Sequence, residues 1–119
     1  MKIKTLDVDL TVCKLPSAVG APTEKYCFLS VTDDEVSLVC PTELTPERTL
    51  ARQDGWKAFR VVGQLDFSLV GVLANVSQAL AAKGVPLFVV STYDTDYVLV
   101  KSQDLSSAVA ALVEKGWEA

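Results

Sequence analysis

Hydrophobic and polar residues alternate along several short stretches of the chain, as in β-strands that bury one face. The first alternating stretch, residues 6–12, predicts a strand near the N-terminus that extends to about residue 15. The next two runs, KYCFLSV and EVSLVC, flank a short polar connection and predict a β-hairpin. Thr45 followed by Pro46 is typical of a helix start, so we expect a short helix through about residue 51.

The second half of the chain alternates between strand and helix patterns. WKAFRVVGQL, residues 56–65, predicts a strand, and PLFVVSTY with DYVLVK predicts a second hairpin. Two helices with apolar faces, ending at Gly84 and Gly116, are expected around this hairpin. The apolar face of the first helix is predicted to consist of Leu69, Val72, Leu73, Val76 and Leu80. The apolar face of the second helix is predicted to consist of Leu105, Val109, Leu112 and Val113. The order β-α-β-β-α indicates an α+β, ferredoxin-like fold, an antiparallel sheet with helices on one face.

The two predicted hairpins resemble each other. FLSVTDDEVSLVC starts at Phe28 and FVVSTYDTDYVLVK starts at Phe88, and each contains a threonine, an acidic turn and an apolar strand. This similarity favours two related units, an abbreviated one at residues 1–55, mostly strands, and a second one at residues 56–119.

The second unit needs a fourth strand that its own sequence does not supply. Only Trp117, Glu118 and Ala119 follow the last helix. We therefore expect residues 6–15 to cover the open edge, so that the units share strands and cannot fold separately. The remaining edges are predicted to pair in a homodimer.

Composition narrows the class of protein. The 119 residues carry a net charge of −4 without a run of Lys or Arg, which argues against nucleic acid as a partner. The apolar runs are too short to cross a membrane, and the N-terminus has no signal-peptide core, so we expect a cytoplasmic protein. The sequence has no histidine, the commonest general base and metal ligand, so we expect neither catalysis nor a cofactor. The three cysteines, Cys13, Cys27 and Cys40, are predicted to be buried free thiols.

Two long motifs carry a family resemblance. GQLDFSLVGVLA and STYDTDYVLVK, preceded by DDEVSLVC and a tryptophan before the central strand, resemble the small bacterial proteins with two fused ACT-like units. The same subtype occurs in aspartate kinase regulatory regions and in eukaryotic arginine sensors. The resemblance implies a regulatory, ferredoxin-like protein that binds a small effector, usually an amino acid. The commoner Asp-x-Pro-Gly helix start is replaced here by Asp66-Phe-Ser-Leu-Val-Gly71.

An amino acid needs donors for its carboxylate and an anionic partner for its ammonium. The unsatisfied amides of a helix start, near Leu69, Val70 and Gly71, suit the carboxylate, and aspartates suit the ammonium. The predicted ligand-binding residues are Asp66, Phe67, Ser68, Leu69, Val70 and Gly71 at the helix start, Ser91, Thr92, Tyr93, Asp94 and Asp96 on the second hairpin, and Thr32 and Glu35 on the first.

Structural roles compete with binding at each of these positions. Asp66 or Ser68 caps a helix equally well, Gly71 suits close packing of helix on sheet, and Asp94 and Asp96 suit a turn and a protected strand edge. The adjacent acidic residues Asp33, Asp34 and Glu35 lack the spacing and the glycine of a calcium loop, so we expect no metal site.

Two other functions remain open. One is a small isomerase or lyase with Asp66 or Asp94 as its base. The other is an interaction protein without a small ligand. Under the favoured regulatory function, the output passes to an unidentified target protein or to the oligomer.

Overall fold

The structure is a computed structural model that describes residues 1–62 and 71–119. The strands and helices follow the order expected of an α+β protein. The strands are β1 (Ile3–Thr5), β2 (Leu10–Leu15), β3 (Phe28–Val31), β4 (Val36–Pro41), β5 (Ala51–Val61), β6 (Phe88–Ser91) and β7 (Asp96–Lys101), and the α-helices are α1 (Val72–Ala82) and α2 (Leu105–Glu114). Short 3-10 helices, Thr42–Leu44 and Ser102–Asp104, follow β4 and β7.

The described chain divides into two compact units. One consists of Val8–Trp56, and the other combines Met1–Asp7 with Lys57–Ala119. The long strand β5 contributes residues to both units. The seven N-terminal residues thus belong with the C-terminal half of the sequence and not with the residues that follow them.

The unit Val8–Trp56 contains a sheet with the strand order β3-β4-β2-β5, in which each pair is antiparallel. The predicted first hairpin is present as β3 and β4. One face of this sheet buries Cys13, Leu15, Leu38 and Cys40, and Ala21 from the loop after β2 packs against them. Residues 8–56 contain no α-helix, and the loop residue Cys27 packs against the same face.

The other unit contains β1, the second half of β5, β7 and β6. β1 pairs antiparallel with β5, β5 neighbours β7, and β7 pairs antiparallel with β6. α1 and α2 contact each other, and their small buried residues Ala79, Ala108 and Ala111 permit close approach. The main core lies here, built from Phe59, Leu80 and Leu112 with the surrounding aliphatic residues.

The N-terminal residues supply the strand that the C-terminal half lacks. Ile3 lies opposite Val61 in the ladder and its side chain is buried in the main core. The Ile3 amide also donates to Glu118 O at 2.8 Å, and the Glu118 amide donates to Met1 O at 2.9 Å. The C-terminal tail therefore contributes an isolated β-bridge, between Glu118 and Lys2, instead of a strand.

The prediction that residues 6–15 form this shared strand is wrong. Ile3–Thr5 pairs with the C-terminal half, whereas Leu10–Leu15 pairs with β4 and with the first part of β5. The alternation begins at Leu6, but residues 6–9 form no strand. Leu6 is nevertheless buried. The alternation of hydrophobic and polar residues therefore begins in the connection between β1 and β2.

The short helix expected from Thr45 to about residue 51 is also absent. Thr45 is extended, with φ −61° and ψ 128°, and β5 already starts at Ala51. A residue before proline avoids the helical conformation, because the ring of Pro46 clashes with its backbone. The proline at this point therefore ends a 3-10 helix and does not begin an α-helix.

The remaining elements match the sequence patterns, with shifted limits. β5 begins at Ala51, five residues before the predicted start, and the predicted end at residue 65 lies outside the described residues, as does Leu69. Gly84 and Gly116 follow the helices with φ of +70° and +94°, the left-handed conformation expected of helix ends. Val113, assigned to the buried face of α2, is 50% exposed, and alanines occupy the buried positions instead.

The architecture is α+β and ferredoxin-like, as the pattern predicted. Within residues 1–62 and 71–119, neither helix is long and apolar enough to cross a membrane.

Candidate functional site

The turn between β6 and β7 is closed by the side chain of its first residue. The Thr92 amide donates to Thr95 O at 2.8 Å, and the Thr92 hydroxyl donates to the same oxygen at 3.1 Å. The Thr95 amide donates back to Thr92 Oγ1 at 3.3 Å. Thr92 therefore fixes the conformation of the turn, which explains a hydroxyl residue at its first position.

Ser91 and Asp96 face each other at the ends of the two strands. They form the last cross-strand pair before the turn, and the Ser91 hydroxyl donates to Asp96 Oδ1 at 2.6 Å. A hydrogen bond to a carboxylate is stronger than one between neutral groups. The pair thus holds one oxygen of Asp96 in place at the base of the turn.

Thr95 ties the turn to the neighbouring strand. Its side chain is 8% exposed, and its hydroxyl donates to Val61 O, at the end of β5, at 2.7 Å. The turn is therefore fixed beside the point where the chain leaves β5 toward the segment that precedes α1. Sequence reasoning missed Thr95 as a site residue. The available signal was a third hydroxyl in a turn that already had Ser91 and Thr92.

Thr92, Tyr93 and Asp94 are the exposed positions of the turn, and Tyr93 and Asp94 form its tip. Tyr93 is 75% exposed, and Asp94 is also exposed to solvent. Both residues take part in further interactions within the chain. Asp94 is thus an accessible carboxylate on a turn whose backbone is fixed by Thr92 and Thr95.

The start of α1 depends on a glycine. Gly71 is the residue that precedes the helix, with φ +85°, and the Asn75 amide donates to Gly71 O at 2.8 Å. Gly71 therefore lies just outside the first turn of α1. The sequence pattern had predicted a position within that turn. A Cβ at this position would meet no described atom within 4 Å, so the left-handed φ explains the glycine and close packing does not.

The amides at this helix start receive no cap from Gly71, because glycine has no side chain. The first-turn amides of the described helix belong to Val72, Leu73 and Ala74. The other predicted residues of this part of the site, Asp66, Phe67, Ser68, Leu69 and Val70, lie outside the described residues.

The β3–β4 turn repeats the geometry of the β6–β7 turn. The Thr32 amide donates to Glu35 O at 3.0 Å, the Thr32 hydroxyl donates to the same oxygen at 3.2 Å, and the Glu35 amide donates to Thr32 Oγ1 at 3.1 Å. The strand registers also correspond, with Phe28 opposite Val39 in one hairpin and Phe88 opposite Leu99 in the other. Thr32 thus has the same structural role as Thr92, while the Glu35 side chain is exposed.

The described residues offer donors and a carboxylate but no metal centre. In residues 1–62 and 71–119, no three His, Cys, Asp or Glu side chains are grouped so as to hold a metal ion. An exposed carboxylate such as that of Asp94 is able to accept hydrogen bonds from a cation, and first-turn amides of a helix are able to donate to an anion. This combination suits a small zwitterion.

Comparison with known proteins agrees with this architecture. A family model described as ACT domain matches residues 51–114, more than half of the chain. A solved protein from Agrobacterium tumefaciens superposes with a TM-score of 0.87 at 30% sequence identity, covering 98% of this chain and 90% of that one. The protein is therefore an α+β protein of the ferredoxin-like class, and it belongs to the ACT domain family, as the two long motifs indicated.

More distant structures share the fold. A Vibrio cholerae protein of unknown function, described as a possible transport protein, has a TM-score of 0.75 at 19% identity, over 95% of this chain and 88% of that one. The regulatory subunit of aspartate kinase from Thermus thermophilus, in its ligand-free form, has a TM-score of 0.68 at 10% identity, over 96% of each chain.

Proposed function

We propose that this protein is a regulatory module that binds a free amino acid at the β6–β7 turn and the start of α1, and that it carries out no chemistry itself. The observation that carries the proposal is the hydrogen bond from Thr95 to Val61 O, which holds the turn beside the exit of β5. Residues 62–70 join Val61 to Gly71, which provides no side-chain cap for the first-turn amides of α1.

The chemistry of the two parts is complementary to a zwitterion. The ligand ammonium pairs with Asp94, and the ligand carboxylate accepts hydrogen bonds from the helix amides, where the helix dipole also favours an anion. The Ser91–Asp96 pair and Thr92 keep the turn in one conformation. A preformed turn loses little conformational freedom on binding, which favours affinity for a small ligand.

A regulatory role needs a difference in affinity between two states of the protein. A ligand changes the protein only if it binds one arrangement of the chain or of its oligomer more tightly than another. We expect ligand binding to act on a second copy of the chain or on a target protein. Membership of the ACT domain family and the likeness to an aspartate kinase regulatory subunit support this assignment.

A thermal-shift screen of the full-length protein against the twenty common amino acids tests the proposal. A ligand bound only by the folded state, at about 100 times its dissociation constant, adds roughly 2.7 kcal/mol to the free energy of unfolding. We expect a clear rise in melting temperature with one amino acid or a few chemically related ones. If none of the twenty raises the melting temperature, amino-acid binding is refuted.

The turn itself is tested with a matched pair of variants. Asp94→Asn keeps the shape of the side chain and removes the charge that pairs with the ammonium, so we expect weaker binding by calorimetry and an unchanged fold. Asp34→Asn makes the same change at the equivalent position of the β3–β4 turn, and we expect it to bind normally. Full affinity in a folded Asp94→Asn protein would remove Asp94 from the site.

Exposed apolar residues favour a second candidate function, association through a sheet edge. β3 lies at the end of the strand order of its unit, and Leu29 and Val31 on it are 43% and 64% exposed. Such an edge readily pairs with another strand. Light scattering of the purified protein distinguishes a dimer from a monomer, and a Val31→Lys variant is expected to weaken the dimer.

A further inference from the structure

The three cysteines of the chain lie on one face of a single sheet. Cys13 on β2 and Cys40 on β4 are both buried in the cluster with Leu15 and Leu38, and Cys27 packs against the same cluster. All three are free thiols. They come from different parts of the sequence, so only the folded sheet brings them together.

The register of the β3–β4 ladder places two of these cysteines opposite each other. Phe28 pairs with Val39 at the beginning of β3, and continuing this antiparallel register by one residue places Cys27 opposite Cys40. Cys40 shares a face with Leu38, two residues away on the same strand. The contact of Cys27 with the cluster that contains both residues agrees with this placement.

Cys13 stands in a different relation to Cys40. It lies opposite Leu38 in the β2–β4 ladder, so Cys40 is its diagonal neighbour. Directly opposed residues of an antiparallel pair have Cα atoms about 4.5–5.5 Å apart, whereas diagonal neighbours are roughly 7–8 Å apart. A disulfide needs a Cα separation of about 4.4–6.8 Å. The register therefore favours Cys27 over Cys13 as the partner of Cys40.

We propose that Cys27 and Cys40 form a reversible disulfide bond when the folded protein meets a small-molecule disulfide of the glutathione type. The Cys27 thiolate attacks one sulfur of the reagent, whose S–S bond breaks and releases one thiol. The Cys40 thiolate then attacks Cys27 Sγ, and the second thiol leaves. The two cysteines lose two protons and two electrons, and the reagent is reduced to two thiols.

Exposure sets the order of these steps. Cys27 is half-buried, whereas Cys13 and Cys40 are buried, so a reagent in solution reaches Cys27 first. Burial raises the pKa of the Cys27 thiol, and the nearby Cys40 raises it further. Burial also raises the pKa of the Cys40 thiol, although a hydrogen bond with Thr45 opposes this effect. We therefore expect slow reaction at neutral pH and faster reaction under alkaline conditions.

The bond would fasten the start of an edge strand. The Cys27 amide donates to Glu24 O at 3.2 Å, back toward the preceding loop. β3 is joined along its length to β4 alone among the described strands, and it carries the exposed Leu29 and Val31. A covalent link at Cys27, the residue before β3, would restrict separation of β3 from β4, so we expect oxidation to raise the melting temperature.

The test is disulfide mapping of the full-length protein. The folded protein is incubated with oxidised glutathione at pH 8.5, quenched in acid, alkylated, digested and analysed by mass spectrometry without reduction. We expect the mass of the chain to fall by two hydrogen atoms and the peptides of Cys27 and Cys40 to be linked. Cys13→Ser is expected to form the same link.

Two variants separate the steps. Cys40→Ala is expected to retain glutathione on Cys27, because the resolving thiol is missing, and its fold is checked by circular dichroism. Cys27→Ser changes a half-buried residue, keeps the buried core intact and is expected to form no internal disulfide. The proposal is overturned if Cys13 is part of the link in the wild-type protein, if Cys27→Ser still forms an internal disulfide, or if the folded protein stays fully reduced.

Discussion

Replacing Ile3 by alanine tests the strand that joins the two ends of the chain. Ile3 is 1% exposed and lies in the main core with Phe59, Val61 and Trp117. Losing three carbon atoms from a fully buried side chain removes roughly 2.4 kcal/mol of transfer free energy at about 0.8 kcal/mol per methylene. The cavity left behind brings the expected total to about 2–5 kcal/mol.

This loss is large compared with the stability of an ordinary domain, which is about 5–15 kcal/mol. Urea denaturation followed by circular dichroism, on wild type and variant at equal concentration, measures the free energy of unfolding. We expect the midpoint of the variant to fall substantially with an unchanged slope. A drop in melting temperature of roughly 10 °C or more should accompany it.

Val113→Ala is the matched control, since it shortens a β-branched side chain of the same unit that is 50% exposed. We expect it to change the free energy of unfolding by no more than about 0.5 kcal/mol. If Ile3→Ala costs less than about 1 kcal/mol, or no more than Val113→Ala, the N-terminal strand does not complete the core of the C-terminal half.

Two further predictions concern the candidate site and the thiols. Thr95→Val keeps the size of the side chain but removes its hydrogen bond to the buried Val61 carbonyl, so we expect a loss of about 1–3 kcal/mol in the free energy of unfolding measured by urea denaturation. Thr23→Val, at an exposed position, should change the free energy of unfolding little. An equally small change for Thr95→Val would show that the hydrogen bond from Thr95 to Val61 does not hold the turn. Burial raises the pKa of the Cys13 thiol in the folded state, so the folded protein retains a proton that the unfolded chain releases above its ordinary thiol pKa of about 8.5. The contribution of this thiol to the free energy of unfolding should therefore be constant below that pH and decline as the pH rises past it. The stability of Cys13→Ala should fall less steeply above that pH than that of the wild type, and an equal or steeper fall would contradict this.

The sequence determined those elements whose signals are local. Helices α1 and α2 follow from apolar residues at helical spacing, and Gly84 and Gly116 mark their ends because only a residue tolerant of positive φ fits there. The two hairpins follow from apolar runs around short polar turns. The family resemblance rested on the same local motifs. The turn residues of the candidate site were predicted from the same kind of local signal.

The tertiary structure alone decided which distant segments pair. Ile3–Thr5 is a short strand with weak periodicity, and its place beside β5 follows from the open edge of a sheet formed by residues far along the chain. The helix predicted after Thr45 failed because a local start signal cannot show that the chain must already be extended at Ala51 to pair with β2.

The hydrogen bond of Thr95 and the proposed pairing of Cys27 with Cys40 likewise could not be predicted from the sequence. Thr95 finds its acceptor on a strand that precedes it by more than thirty residues. It is the β3–β4 register, extended by one residue beyond Phe28 and Val39, that places the two cysteines opposite each other. The spacing of hydrophobic residues shows which face of a strand or helix is buried. The register of a strand depends instead on the free energy of the whole sheet, because each residue is positioned by partners that lie elsewhere in the chain.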